Sequence, residues 1–327
     1  MSVAEQKPCE KRYLQHDVFH TDRKNTTNMT NHRRLIVSIL SALITLTVQS
    51  TAQTGKLPQS LLWRVTAPKG AVSYVFGTIH APDTNVFYIR DTVLSLIATS
   101  KVYASELNLD SMLRQMMDPS LLVMKNKTLY DLYDSATVDT ICTKLGQLAK
   151  PLASICPRMK PSIIGMMIMM RTMEKTASTS LDEFLWSKAR KLKIKRVGLE
   201  TVGEQLATLD EQPPEALLEI IRGTDDSMEE LRKLTRLYID ENLDSLDALT
   251  RDTSIIKKTD LNSLNDNRNK RFVQRMMPLI NEGEAFFAIG ALHLAGPSSV
   301  LTLLANNGCS VEPVMGGRRR NVMGRSY

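Results

Sequence analysis

AFFAIGALHLAGPSSVLTLLANNGCSVEPV, residues 285–314, reads as strand, loop, helix and strand within thirty residues. The apolar run Ala285–Ile289, with its paired phenylalanines, has the length and composition of a fully buried strand, and it halts at Gly290. After a loop carrying His293, Gly296–Asn307 reads as a helix with Pro297 in a first-turn position and Gly308 as its C-cap. Ser310–Val314 reads as a closing strand. Strand and helix alternating in this way imply an α/β fold, a central sheet flanked by helices.

Three other stretches show the same buried-strand character and the same polar stop. Ser73–Phe76 runs into Gly77 and then His80, Val102–Ser105 into Glu106, and Lys195–Leu199 into Glu200. Helical patterns over Asp91–Ser100 and Ser180–Lys193, the latter with Ser180 as a plausible N-cap, connect them. Residues 111–175 and 203–283 read as predominantly helical, an insertion within one domain rather than a second domain. Gly165–Met170 there reads as a buried helix filled with methionine, against the less common readings of a thioether copper site or a Met-lined groove.

In an open α/β sheet, ligands gather outside the carboxyl ends of the strands. If the four strands share a sheet and run parallel, they deliver His80, Glu106, Glu200 and His293 to one edge. Imidazole and carboxylate there suit a divalent ion such as zinc, manganese or cobalt, and three protein ligands leave a position for water. Water on such an ion loses its proton near neutral pH and becomes a nucleophile. Gly77 and Gly290, at the strand exits, are expected to permit a sharp turn and close backbone approach. His80 and His293 are the two histidines downstream of residue 52, and both sit in an apolar-Gly-x-x-His setting, which makes coincidence a poor account of either.

The net charge of +7 does not indicate nucleic acid. Seven basic and four acidic residues fall in 1–34 and four arginines with no acid in 318–327, so the body between is formally balanced. Asn31-His32-Arg33-Arg34 precedes LIVSILSALITLTV, residues 35–48, and then QSTAQ, the order of a secretory signal with cleavage near Ala52-Gln53. The apolar run is short for a membrane span, so membrane contact is expected only through this leader or an uncleaved anchor. Met29 would give an ordinary signal start. The reading is therefore a leader over 1–52, a domain over 53–317, a basic tail over 318–327, and export to a periplasmic or extracellular space. Export permits disulfides; Cys142 and Cys156 flank a helical hairpin and either pair or stay free, with Cys309 left over.

LLWRVTAPKGAVSYVFGTIH (61–80), ASELNLD (104–110), VGLETVGEQLATLD (197–210) and AIGALHLAGPSSVLTLLANNGCSVEPV (288–314) together resemble the TraB/GumN family. The resemblance implies a fold related to the erythromycin-esterase-like and ChaN-like proteins, and a divalent-metal-dependent hydrolase, in the TIKI branch a protease. It puts the family's two motif histidines on His80 and His293 and its glutamate on Glu106. Glu200 and the NDNRNKRF run, with Arg268 and Asn269, also match family positions.

The expected function is an exported, metal-dependent peptidase acting on a peptide or protein. His80, Glu106 and His293 bind the ion, Glu200 serves as general base or supports a ligand, and Arg268 meets a developing oxyanion. The alternative is a binding protein of the cell envelope that sequesters a peptide or haem in the same cleft without turnover. A purely structural envelope protein ranks third.

Overall fold

A computed structural model of the chain describes residues 57–81, 83–172, 175–222, 225–250 and 265–323. The leader, its cleavage point and the start at Met29 lie outside the described residues. Among the described residues no helix is long and apolar enough to cross a membrane.

The strands are β1 Leu62–Thr66, β2 Val72–Thr78, β3 Tyr88–Arg90, β4 Val102–Leu107, β5 Lys195–Glu200, β6 Ala285–Gly290, β7 Ser310–Pro313 and β8 Arg319–Asn321. A six-stranded sheet has the order β5-β4-β6-β2-β1-β7. β5, β4, β6 and β2 run parallel, so the fold is α/β, while β1 is antiparallel to both β2 and β7. All five strands expected from the sequence are present. β1 was not expected as a strand, and it forms because Ala67–Ala71 closes a tight turn, with Gly70 at φ +87°, that folds Leu62–Thr66 back onto β2.

The helices are α1 Asp91–Thr99, α2 Leu109–Met116, α3 Pro119–Leu122, α4 Ser135–Leu148, α5 Pro161–Thr172 and α6 Leu181–Lys191. Then come α7 Val202–Asp210, α8 Glu215–Arg222, α9 Asp225–Ile239, α10 Leu243–Thr250, α11 Asn267–Glu282 and α12 Val300–Asn306. The last helix starts later than its proline suggested. Ser299, whose hydroxyl accepts from the Thr302 amide, is the N-cap, and Gly296-Pro297 stays in the loop. Gly308 does end it, at φ +83°.

β6 lies in the middle of the sheet and every residue of it is buried. Phe286 stacks on Tyr103 of β4 at 6.1 Å between ring centroids, and Trp186 of α6 meets Tyr103 edge-on at 6.0 Å. A second apolar cluster sits among α4, α5, α7 and α8, with Leu129, Ile141, Ile163 and Leu206 at its heart. A Cys142–Cys156 disulfide closes its edge, and Cys309 is free and buried in the main core. Gly165 lets α8 lie close on α5, since a Cβ there would stand 2.7 Å from Ile220 Cδ1.

Within the basic tail, residues 318–323 pack on the domain. β8 pairs with β3, Arg320 bonds Asp91, and Arg319 Nε lies 3.7 Å from Glu241, which also pairs with Arg90 at 2.6 Å. Acidic side chains already presented by α1 and the end of α9 are what the arginines find there.

One clasp bears directly on the site. Glu204, in the first turn of α7, takes a bidentate pair from Arg275 of α11 at 2.6 and 2.9 Å and completes a capping box with Thr201. The Arg275 bonds, partly opposed by burial and helped by the Thr201 amide, bring the Glu204 carboxyl down to about 2. Because the folded value is depressed, the clasp contributes stability above the unfolded pKa of about 4.3 and loses it as pH falls toward about 2. Glu204→Gln should therefore unfold at lower urea than the parent chain at pH 6, and the gap should close by about pH 2. A gap that persists unchanged would show that the clasp contributes through packing alone.

Candidate functional site

The registers bring the four strand ends into one layer: Thr78 opposes Gly290, Ser105 opposes Ala288, and Leu107 opposes Glu200. The carboxyl edge thus holds Glu106, Glu200, His293 and His80, as the parallel arrangement requires.

The two Gly-x-x-His segments interlock. Beyond β6, Ala291–Leu294 makes a short 3-10 turn that packs on Gly77, where an added Cβ would stand 2.9 Å from Leu294 Cδ1 and 3.1 Å from Ala291 Cα. Gly290 donates its N–H to Glu106 Oε1 at 2.7 Å, and a Cβ on it would lie 3.1 Å from that same oxygen. Gly290 has φ −52°, so what it supplies is the missing side chain and not a left-handed turn. Close approach is the part of the glycine expectation that the structure bears out.

Arg268, 1 % exposed on α11, is the hub. Its Nη2 reaches Glu106 Oε2 at 2.7 Å and Glu200 Oε1 at 2.5 Å, and its Nε reaches Glu200 Oε2 at 3.1 Å. Gln205 donates to Glu200 at 3.1 Å and Arg271 stands 3.8 Å away. Burial pushes the Glu106 carboxyl up, but the His293 ring and the Arg268 guanidinium outweigh it and hold Glu106 well below the ordinary range. Glu200 goes the other way: its burial outweighs the attraction of Arg268, and its carboxyl is raised. Two neighbouring carboxyls are thus driven apart, one firmly ionised and one more ready to hold a proton.

His293 is completely buried against Phe272, 4.8 Å between ring centroids. Asn269 fixes its tautomer. The Asn269 Nδ2 donates to the Ser298 carbonyl at 2.8 Å, which turns Asn269 Oδ1 toward the ring, so ring Nδ1 carries the hydrogen. Burial, only partly offset by Glu106, lowers this imidazole to about 4, so it is neutral near pH 7. Nε2 is then a lone pair, buried, with no hydrogen-bond partner, and it faces Glu106 Oε1 at 3.4 Å.

His80 has a carboxylate partner of its own. Asp182 Oδ2 lies 2.9 Å from its Nδ1, and Thr78 Oγ1 donates to the other Asp182 oxygen at 2.7 Å. Packing around the ring opposes its charge, yet Asp182 more than reverses this and raises the imidazole to about 9. The His80 side chain is 38 % exposed, whereas that of His293 is completely buried. Asp182 was not singled out in the sequence. As a first-turn acid on α6 it looks like an ordinary helix-dipole residue, and only its burial marks it.

The donor set can be tested for a cation. Ligands about 2.1 Å from an ion at a tetrahedral angle stand about 3.4 Å apart; His293 Nε2 and Glu106 Oε1 are 3.4 Å apart. Two lone-pair atoms facing each other in a dry site suit an intervening positive group, and each histidine has its Nδ1 held by an oxygen, the arrangement that leaves Nε2 for a metal. Among the described residues no group of three or more His, Cys, Asp or Glu side chains stands close enough together to hold a metal ion as they are placed.

Fold and cluster together define the class: an α/β protein whose parallel strands gather a buried Glu–Arg–Glu triad, a buried neutral histidine and a partly exposed histidine. The chain belongs to the TraB/PrgY/gumN family, whose description matches residues 61–313. No curated protein matches it significantly.

Proposed function

We propose that the protein is an exported hydrolase, a peptidase by preference, in which His80, Glu106 and His293 hold a divalent ion of the zinc, manganese or cobalt type. The observation that carries this reading is the unpartnered His293 Nε2 aimed at an ionised Glu106. When bound, such an ion lowers the pKa of a water and polarises a carbonyl.

The chain's own residues do the rest. Glu106 supplies negative charge, Gly290 N–H and Arg268 hold its two oxygens in place, and Asn269 presents His293 through Nε2. Asp182 does the same for His80. Arg268 and Glu200 are positioning residues in this reading: the bonds of Arg268 go to the two glutamates rather than toward an oxyanion, and Glu200 Oε1 and Oε2 face Arg268. The Cys142–Cys156 disulfide favours an oxidising compartment and so the export part of the proposal. The family resemblance favours a peptide substrate, although an activated water attacks an ester too.

Metal analysis by mass spectrometry tests the reading on chain purified without chelator. About one divalent ion per chain is expected, with weaker loading as pH falls because His80 must give up its proton. No bound metal after resupply with zinc, manganese and cobalt would remove the proposal and leave the sequestering reading, for which a haem absorption band is the simplest check.

A further inference from the structure

A cavity of about 520 Å³ lies in the helical part of the molecule, bounded by Met124–Leu132, the start of α5, the end of α7 and α8. It shares no residue with the histidine–glutamate cluster. Its volume is that of a small-molecule site. Met124, Leu132, Met166, Leu217 and Ile220 form apolar walls without an aromatic ring.

The polar part of the lining is lopsided. Lys160 is taken by Asp210 at 2.6 Å, and Ser162 bonds the same carboxylate. Lys125 and Lys127, both exposed, also line the cavity, and Asp131 nearby offsets part of the Lys127 charge. An anionic oxygen beside the two ammonium groups would complement their charge.

We propose that this cavity binds a fatty carboxylate: an unbranched acyl chain against the methionine and leucine walls, its anion at Lys125 and Lys127. A polypeptide would bring a polar amide at every residue, and these walls have few partners for them. An acyl chain brings none, and methionine side chains adapt to its bends. The proposal stands apart from the hydrolase reading.

The test is titration calorimetry of the full chain with dodecanoate below its micellar concentration. One site per chain with a dissociation constant on the order of micromolar is expected, and dodecanol should bind about tenfold more weakly or worse. The exposed double variant Lys125→Glu/Lys127→Glu should lose about tenfold toward dodecanoate and nothing toward dodecanol. His80→Ala should bind dodecanoate like the parent, which separates this site from the cluster. Absence of saturable binding, equal affinity for dodecanol, indifference to the lysine exchange, or tighter binding of a lysophospholipid than of dodecanoate would each overturn the assignment.

Discussion

Arg268→Met should destabilise the fold by about 3–5 kcal/mol near neutral pH, because it strands two buried carboxylates at once. Glu106 and Glu200 are 4 % and 3 % exposed, and Arg268 is the cation that both touch. Without it, burial and mutual repulsion raise both folded pKa values above the unfolded value of about 4.3. A raised carboxyl is least harmful when protonated, so the deficit should shrink as pH falls to about 4 and grow as pH rises through the raised values. Urea unfolding across that range reads it directly. A control separates charge from packing: adding Glu106→Gln and Glu200→Gln to the methionine variant should recover much of the loss, since neutral groups carry no such desolvation cost. A variant equally weak at every pH would mean that the arginine serves the fold through its bulk.

The second large effect falls on activity. His293→Ala and His80→Ala should each lower hydrolysis by about 10²–10⁴-fold and lower metal content with it. Their structural costs differ, which makes the pair informative. His293 fills a fully buried space on Phe272, so its loss weakens the fold by leaving a cavity, whereas His80 is partly exposed and its loss weakens the fold by leaving the buried Asp182 carboxylate without its cation, a cost that should fade as pH rises toward about 9. Asp182→Asn keeps the His80 ligand and removes its carboxylate partner; a loss of about 10–100-fold in activity or metal affinity is expected. Full activity in the His80 variant would remove that residue from the site and, with it, the hydrolase proposal.

Much of the site was legible in the sequence. Four apolar runs ending in Gly-x-x-His or Glu carried both the α/β class and the edge where side chains meet, because buried parallel strands need uninterrupted apolar residues and the residues just past their ends are left at the sheet edge. The family resemblance added Arg268 and Asn269 from a helix that periodicity alone would have left as an ordinary basic surface. β1 escaped because its short alternating run becomes a strand only when Gly70 turns it onto β2. The contacts of the basic tail were not legible for a related reason: the acids on α1 and near α9 that its arginines meet are distant along the chain.

The sequence by itself determined the four parallel strands, their polar stops and therefore which residue types meet at the sheet edge, since those depend on local pattern and on the direction of parallel strands. Tertiary structure alone decided their states. That Arg268 turns inward to neutralise Glu106 and Glu200, that Asn269 leaves His293 a bare Nε2, and that Asp182 keeps His80 protonated are consequences of burial and of partners far away in the chain. Desolvation and Coulomb energies act through space, and no reading of neighbours along the chain contains those distances.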